Sequence, residues 1–139
     1  IARFADPRTT GAPVLMLAGT EDAIVDRARC EEVVEDLREG GSRVQTVWYE
    51  GAWHQWDGAF PGPRSIGRNL ARCSLRVDEN GGVVDMRTGL PMAGPMTRRL
   101  ILGLCVDSDG YLIGRDDAVR ARSNAAMGAF LAEALGARR

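Results

Sequence analysis

Apolar residues run without interruption through Pro13-Val14-Leu15-Met16-Leu17-Ala18 and stop at Gly19. A strand covered on both faces reads this way, so the run predicts a buried strand over 13–19. Over 26–39 the spacing changes: Cys30, Val33, Val34 and Leu37 recur at i, i+3, i+4 and i+7, with Arg, Glu and Asp filling the other side. That period gathers the apolar side chains on one face of a helix, which Gly40-Gly41 ends. A second β-rich run follows at once, Val44-Gln45-Thr46-Val47-Trp48-Tyr49. Strand, helix and strand at this spacing predict a right-handed crossover unit with two parallel strands.

The pattern then changes. Residues 58–115 are dense in Gly and Pro, as in Gly58-Ala59-Phe60-Pro61-Gly62-Pro63 and Gly89-Leu90-Pro91-Met92-Ala93-Gly94-Pro95, and read as an insertion. Inside it, Ser74-Leu75-Arg76-Val77 and Val83-Val84-Asp85-Met86 flank Asn80-Gly81-Gly82 and predict a small hairpin. A short helix is predicted over 96–104. The longest helix follows over 117–135, with Val119, Met127, Phe130, Leu131 and Leu135 on one face and Gly136 beyond its end. The opening residues 1–12 are polar and turn-rich. The fold class this predicts is α/β: a strand–helix–strand core over 12–57, a hairpin-bearing insertion over 58–115 and a C-terminal helix over 116–136, in one domain or part of one.

Composition narrows the field only a little. The chain has 139 residues, 45% apolar and 27% charged, with 18 basic against 19 acidic side chains. Enough apolar surface is present for one core, and the balance is far from that of a disordered chain. Every basic residue is Arg, and they are scattered, so no stripe suited to nucleic acid emerges. The longest apolar runs fall well short of the roughly 20 residues that span a bilayer, and no membrane partner is expected.

His54 is the sole histidine and follows the second predicted strand, in Tyr49-Glu50-Gly51-Ala52-Trp53-His54-Gln55-Trp56-Asp57. The first strand ends in Gly19-Thr20-Glu21-Asp22. Parallel sheets gather functional groups at the carboxyl ends of their strands, so an acid and an imidazole are expected at one rim. A carboxylate there holds the imidazole in one tautomer and leaves its other nitrogen free to take a proton from a nucleophile. Asp22 is the expected acid and His54 the base. Glu21 and Asp26 compete for the acid's place, although Asp26 is set to cap the helix. Trp53 and Trp56 are candidates for an apolar substrate wall or for a cover over the strand end, and Trp48 is expected to pack. Cys30 reads as a core residue. Asp107-Ser108-Asp109-Gly110 reads as a turn, because no further carboxylates follow at calcium-loop spacing. No zinc-like cluster, phosphate loop or dinucleotide fingerprint is present, so neither metal nor cofactor is expected.

These residues together resemble the carboxyl-terminal part of the dienelactone hydrolase family, within the α/β-hydrolase fold. There the second strand runs into Tyr-x-Gly-Ala-x-His-x-Phe-Asp; Tyr49, Gly51, Ala52, His54 and Asp57 match it, and Trp56 stands in place of the Phe. The resemblance covers about residues 12–57 well and the last helix loosely. It implies hydrolysis of a carboxylic ester or lactone by a triad of which Asp22 and His54 are two members. One part of the pattern is missing: neither Gly-x-Ser-x-Gly nor Gly-x-Cys-x-Gly occurs in the chain. In this fold the nucleophile precedes the acid, so the resemblance implies that it lies in an N-terminal half upstream of Ile1. Ser42, Ser65, Ser74, Ser108 and Ser123 are poorly placed to substitute. The isolated chain is then expected to be inactive and to self-associate through an open sheet edge. The absent elbow and the Gly- and Pro-rich insertion also fit a non-catalytic binding or assembly module. Cys73 and Cys105 bracket much of the insertion; bonded, they imply a periplasmic or secreted location, and free, a cytoplasmic one.

Overall fold

A computed structural model describes residues 2–136. Helices and short strands are mixed, in an α/β arrangement. At its centre β2 (Val14–Gly19) and β3 (Val44–Tyr49) lie parallel and in full register, from Val14 opposite Val44 to Gly19 opposite Tyr49. Between them runs α1 (Arg27–Glu39). Asp26 caps it, its Oδ1 accepting from the amides of Ala28 at 2.8 Å and Arg29 at 3.3 Å. The cap satisfies two donors that the first helical turn leaves without partners. Cys30 and Val34 are buried on the sheet side of α1, as its period predicts.

The N-terminal residues depart from the turn-rich reading. β1 (Ala2–Phe4) forms a strand and pairs in parallel with β5 (Leu75–Val77), far along the chain. β5 in turn makes an antiparallel hairpin with β6 (Val83–Asp85), the hairpin that the Asn-Gly-Gly signal predicts. Its turn is closed by Asp78, whose Oδ1 accepts from the amide of Gly82 at 2.7 Å, with Gly81 at φ +79. Period alone could not place β1, since three residues are too few to show alternation. One consequence reaches α1. Asp36, assigned by its charge to the solvent side, is only 2% exposed and is bound through both oxygens by the Arg3 guanidinium. That pairing holds the Asp36 carboxyl below the usual range, against the opposite pull of desolvation.

The insertion is a second small body with its own apolar centre. Cys73, Ile101 and Cys105 are buried together, with Leu75, Leu90, Met92 and Val106 packed around them. Ile101 and Cys105 come from α2 (Pro95–Cys105). Cys73 and Cys105 are joined in a disulfide across a separation of 32 residues. A bridge of that span restricts the unfolded chain by about 3–4 kcal/mol in the chain-entropy picture. The ends of the insertion meet each other: β4 (Arg64–Ile66) pairs antiparallel with β7 (Tyr111–Ile113), which returns the chain to the sheet.

Last comes α3 (Asp117–Ala134), capped by Asp116 through the amides of Ala118 and Val119. Val119 joins Tyr49 and Ala52 in the core beneath the sheet. The rest of its apolar face behaves otherwise than its spacing suggests. Met127 and Leu131 are each 45% exposed and Leu135 is 79% exposed. The reason is geometric. Among the described residues β2 and β3 pair only with each other, so the sheet is too narrow to cover more than the first turns of an 18-residue helix. No helix of the described residues is long and apolar enough to cross a membrane.

Candidate functional site

The loops leaving β2 and β3 are tied together before either functional side chain appears. The Thr20 amide donates to the Tyr49 carbonyl at 3.0 Å and the Glu21 amide to the Ala52 carbonyl at 3.0 Å. The Thr20 hydroxyl accepts from the Gly51 amide at 2.9 Å. Ala52 is fully buried at this seam. Gly19 faces it so closely that a Cβ there would stand 2.2 Å from the Ala52 carbonyl oxygen. Only a residue without a side chain permits this approach.

From this seam Asp22 and His54 converge. Asp22 Oδ2 lies 2.8 Å from His54 Nδ1. Its other oxygen accepts from the amides of Ile24 and Val25, each at 3.2 Å, which fixes the plane of the carboxylate. Asp22 is 8% exposed and His54 28% exposed. The acid is thus shielded while the imidazole keeps an open side. With a carboxylate at Nδ1, the proton sits on that nitrogen and the Nε2 lone pair is the reactive one. Among the described residues Nε2 has no hydrogen-bond partner. Of the competing acids, Asp26 caps α1 and Glu21 points to solvent.

A cleft of about 450 Å³ opens beside the pair. Its wall is largely apolar, with Met16 and Leu17 from β2, Val25, Trp56 and Met127, and its polar end holds Asp22 and His54. Trp56 is held there by its indole N–H, which donates to Ser123 Oγ at 3.2 Å, and by an edge-on contact with Tyr49. Trp53 departs from the expectation of a cleft wall. Its indole N–H donates to the Gly114 carbonyl at 2.6 Å, and it fastens the β7 end of the insertion instead. Trp53 precedes the His54–Ile113 bridge and Trp56 lies in the turn after it, where Gln55 takes a positive φ of 59, so the two indoles do not share a surface. Trp48 is half-buried outside the cleft, with the Arg27 guanidinium 4.7 Å above its ring.

Two residues in the wall carry nucleophilic atoms. Ser123 Oγ is already occupied, donating to the Arg120 carbonyl at 3.0 Å and accepting from Trp56. Cys30 is 2% exposed, and its burial pushes the thiol up, away from the thiolate form. Among the described residues no cluster of three or more His, Cys, Asp or Glu is arranged to hold a metal ion. The Asp107–Asp109 segment is a loop held by the Asp107 side chain, whose Oδ1 accepts from the Asp109 amide at 2.9 Å.

Several features had no sequence signal. Gln55, next to His54, has φ +59, a backbone state uncommon for residues other than glycine. Tyr111 stands edge-on to the imidazole, with ring centroids 5.8 Å apart and planes at 80°. Asn69 reaches the acid's loop, its Nδ2 donating to the Ala23 carbonyl at 3.0 Å. Both come from the insertion, where neither periodicity nor a motif marks them. Comparison with family models, curated proteins and solved structures yields no match to this chain.

Proposed function

We propose that the chain is the carboxyl-terminal part of an α/β-hydrolase of the dienelactone hydrolase type, supplying the acid and base of a Ser/Cys–His–Asp triad that cleaves carboxylic esters or lactones. The observation that carries this reading is the Asp22–His54 pair, with Nδ1 on the carboxylate, Nε2 free and an apolar cleft beside it. Asp22 orients the imidazole and stabilises it when protonated; His54 takes the proton of the nucleophile and returns it to the leaving alcohol. The nucleophile and the oxyanion donors belong to an N-terminal half whose last strand lies against the free edge of β2. The lining of the cleft carries the carboxylates of Asp22 and Asp57 and no arginine, which favours an uncharged acyl group. The disulfide favours an oxidising compartment.

Hydrolysis of an activated ester tests this. The 139-residue chain alone should show no turnover, because the imidazole has nothing to activate. A chain extended upstream to include the nucleophile should turn over, and Asp22→Asn should lower its kcat by about 10³–10⁴ while leaving KM little changed. Turnover by the 139-residue chain that disappears in His54→Ala would place the nucleophile within it. Full activity of the extended Asp22→Asn enzyme would remove the triad reading.

A further inference from the structure

The insertion grips both halves of the pair. On the acid's side, Asn69 is 8% exposed and its Nδ2 holds the carbonyl of Ala23, the residue after Asp22. Its Oδ1 is used separately, accepting from the Ala71 amide at 2.8 Å. Asn69 is itself fixed by a two-way backbone bridge with Asp107, at 2.9 and 2.8 Å. Arg72 adds an ion pair to Asp107 at 2.8 Å. The Cys73–Cys105 disulfide closes the chain immediately inside that bridge. On the base's side, the His54 amide donates to the Leu112 carbonyl at 3.2 Å and the Gly114 amide to the His54 carbonyl at 3.1 Å, a parallel bridge that places Tyr111 edge-on against the imidazole.

We propose that Asn69 and Tyr111 are positioning residues for the Asp22–His54 pair, and that the disulfide-closed insertion is a strap holding them in register. The inference rests on the reading of that pair as a working acid and base, and it assigns the insertion a task that the strand–helix–strand core does not perform. Asn69 sets where the Asp22 loop lies. Tyr111 restricts rotation of the imidazole about its side-chain bonds, so that Nδ1 stays on the carboxylate and Nε2 faces the cleft. Neither residue lines the cleft, so neither contacts a substrate there. Both act through the pair.

The proton between His54 Nδ1 and Asp22 provides the readout, because a held N–H on a carboxylate gives a downfield, slowly exchanging proton resonance. The parent chain should show it and Asp22→Asn should lose it. Asn69→Asp keeps the oxygen that Ala71 uses and removes only the donor to Ala23; Tyr111→Leu keeps bulk and removes the aromatic edge. Each should broaden the resonance or speed its exchange several-fold while circular dichroism and the remaining amide spectrum stay native, and Tyr111→Phe should restore the parent signal. As a second route that adds no charge, Asn69→Ser should do what Asn69→Asp does. A resonance that depends on Asp22 yet is unchanged in the Asn69 variants and in Tyr111→Leu overturns the strap and leaves the pair standing. Absence of any resonance sensitive to Asp22→Asn overturns the pair, and the strap with it.

Discussion

Gly19 decides whether Asp22 and His54 can meet at all. The Asp22 loop leaves β2 through this residue and packs on the backbone of Ala52, where there is no room for a methyl group. Because the obstacle is a carbonyl and not a flexible side chain, Gly19→Ala can be accommodated only by parting the two loops. Overpacking of this kind costs about 1–3 kcal/mol. Gly51 offers the contrast. It sits at φ +70 with open space around it, so Gly51→Ala meets only the backbone preference, about 1–2 kcal/mol. The two variants should therefore be destabilised to comparable degrees in urea titrations, while only Gly19→Ala loses the Asp22-dependent proton resonance of His54. Equal effects of both on that resonance would show that the Gly19–Ala52 seam does not set the pair.

At the scale of elements, what could be read from the chain depended on length and on distance. β2, α1 and β3 are long enough to display their periods, and the turn at Asp78–Gly82 carries its own glycines; each was legible. β1 and the β4–β7 pairing are three residues per strand and join segments far apart, so no local signal encodes them. The same limit hid Asn69 and Tyr111, whose roles exist only once the insertion folds back. Asp22 and His54 were legible because strand ends are where parallel sheets present their polar groups, whereas Trp53 was misplaced because its direction depends on the bridge between His54 and Ile113. The β1–α1 contact carries a consequence for acid stability. Arg3 holds the Asp36 carboxyl below its unfolded value, so the stabilisation from this pair is present above about pH 4 and is lost as the pH falls through the lower folded value. Asp85 behaves alike, held down by hydrogen bonds from Thr88. Arg3→Gln should lower the urea midpoint more near about pH 6 than near about pH 3, because the stabilisation fades once the pH is below the unfolded value. A parallel offset at both values would mean that Arg3 contributes by packing alone.

The molecule as a whole leaves large apolar side chains exposed beside its two small cores. β2 and β3 each have an edge without a partner among the described residues, and α3 presents Met127, Leu131 and Leu135 to solvent beyond the narrow sheet. Unpaired edges carry rows of free N–H and C=O groups, and contiguous apolar helical surface next to such an edge draws in other chains. On the hydrolase reading proposed above, an upstream strand and its helix would cover the edge of β2; in the 139-residue chain alone, another copy is the available cover. Sedimentation of the isolated chain should therefore depend on concentration, and Leu131→Glu together with Leu135→Glu should shift it toward monomer, because two buried carboxylates at the contact would go unpaired. Those substitutions lie on the outer helix and leave Val119 and Ser123, its buried residues, in place, so the melting transition should persist in the variant. A parent chain that remains a monomer at every concentration and melts cooperatively would show that the two-stranded sheet is complete as it stands, and that no strand is missing from the edge of β2.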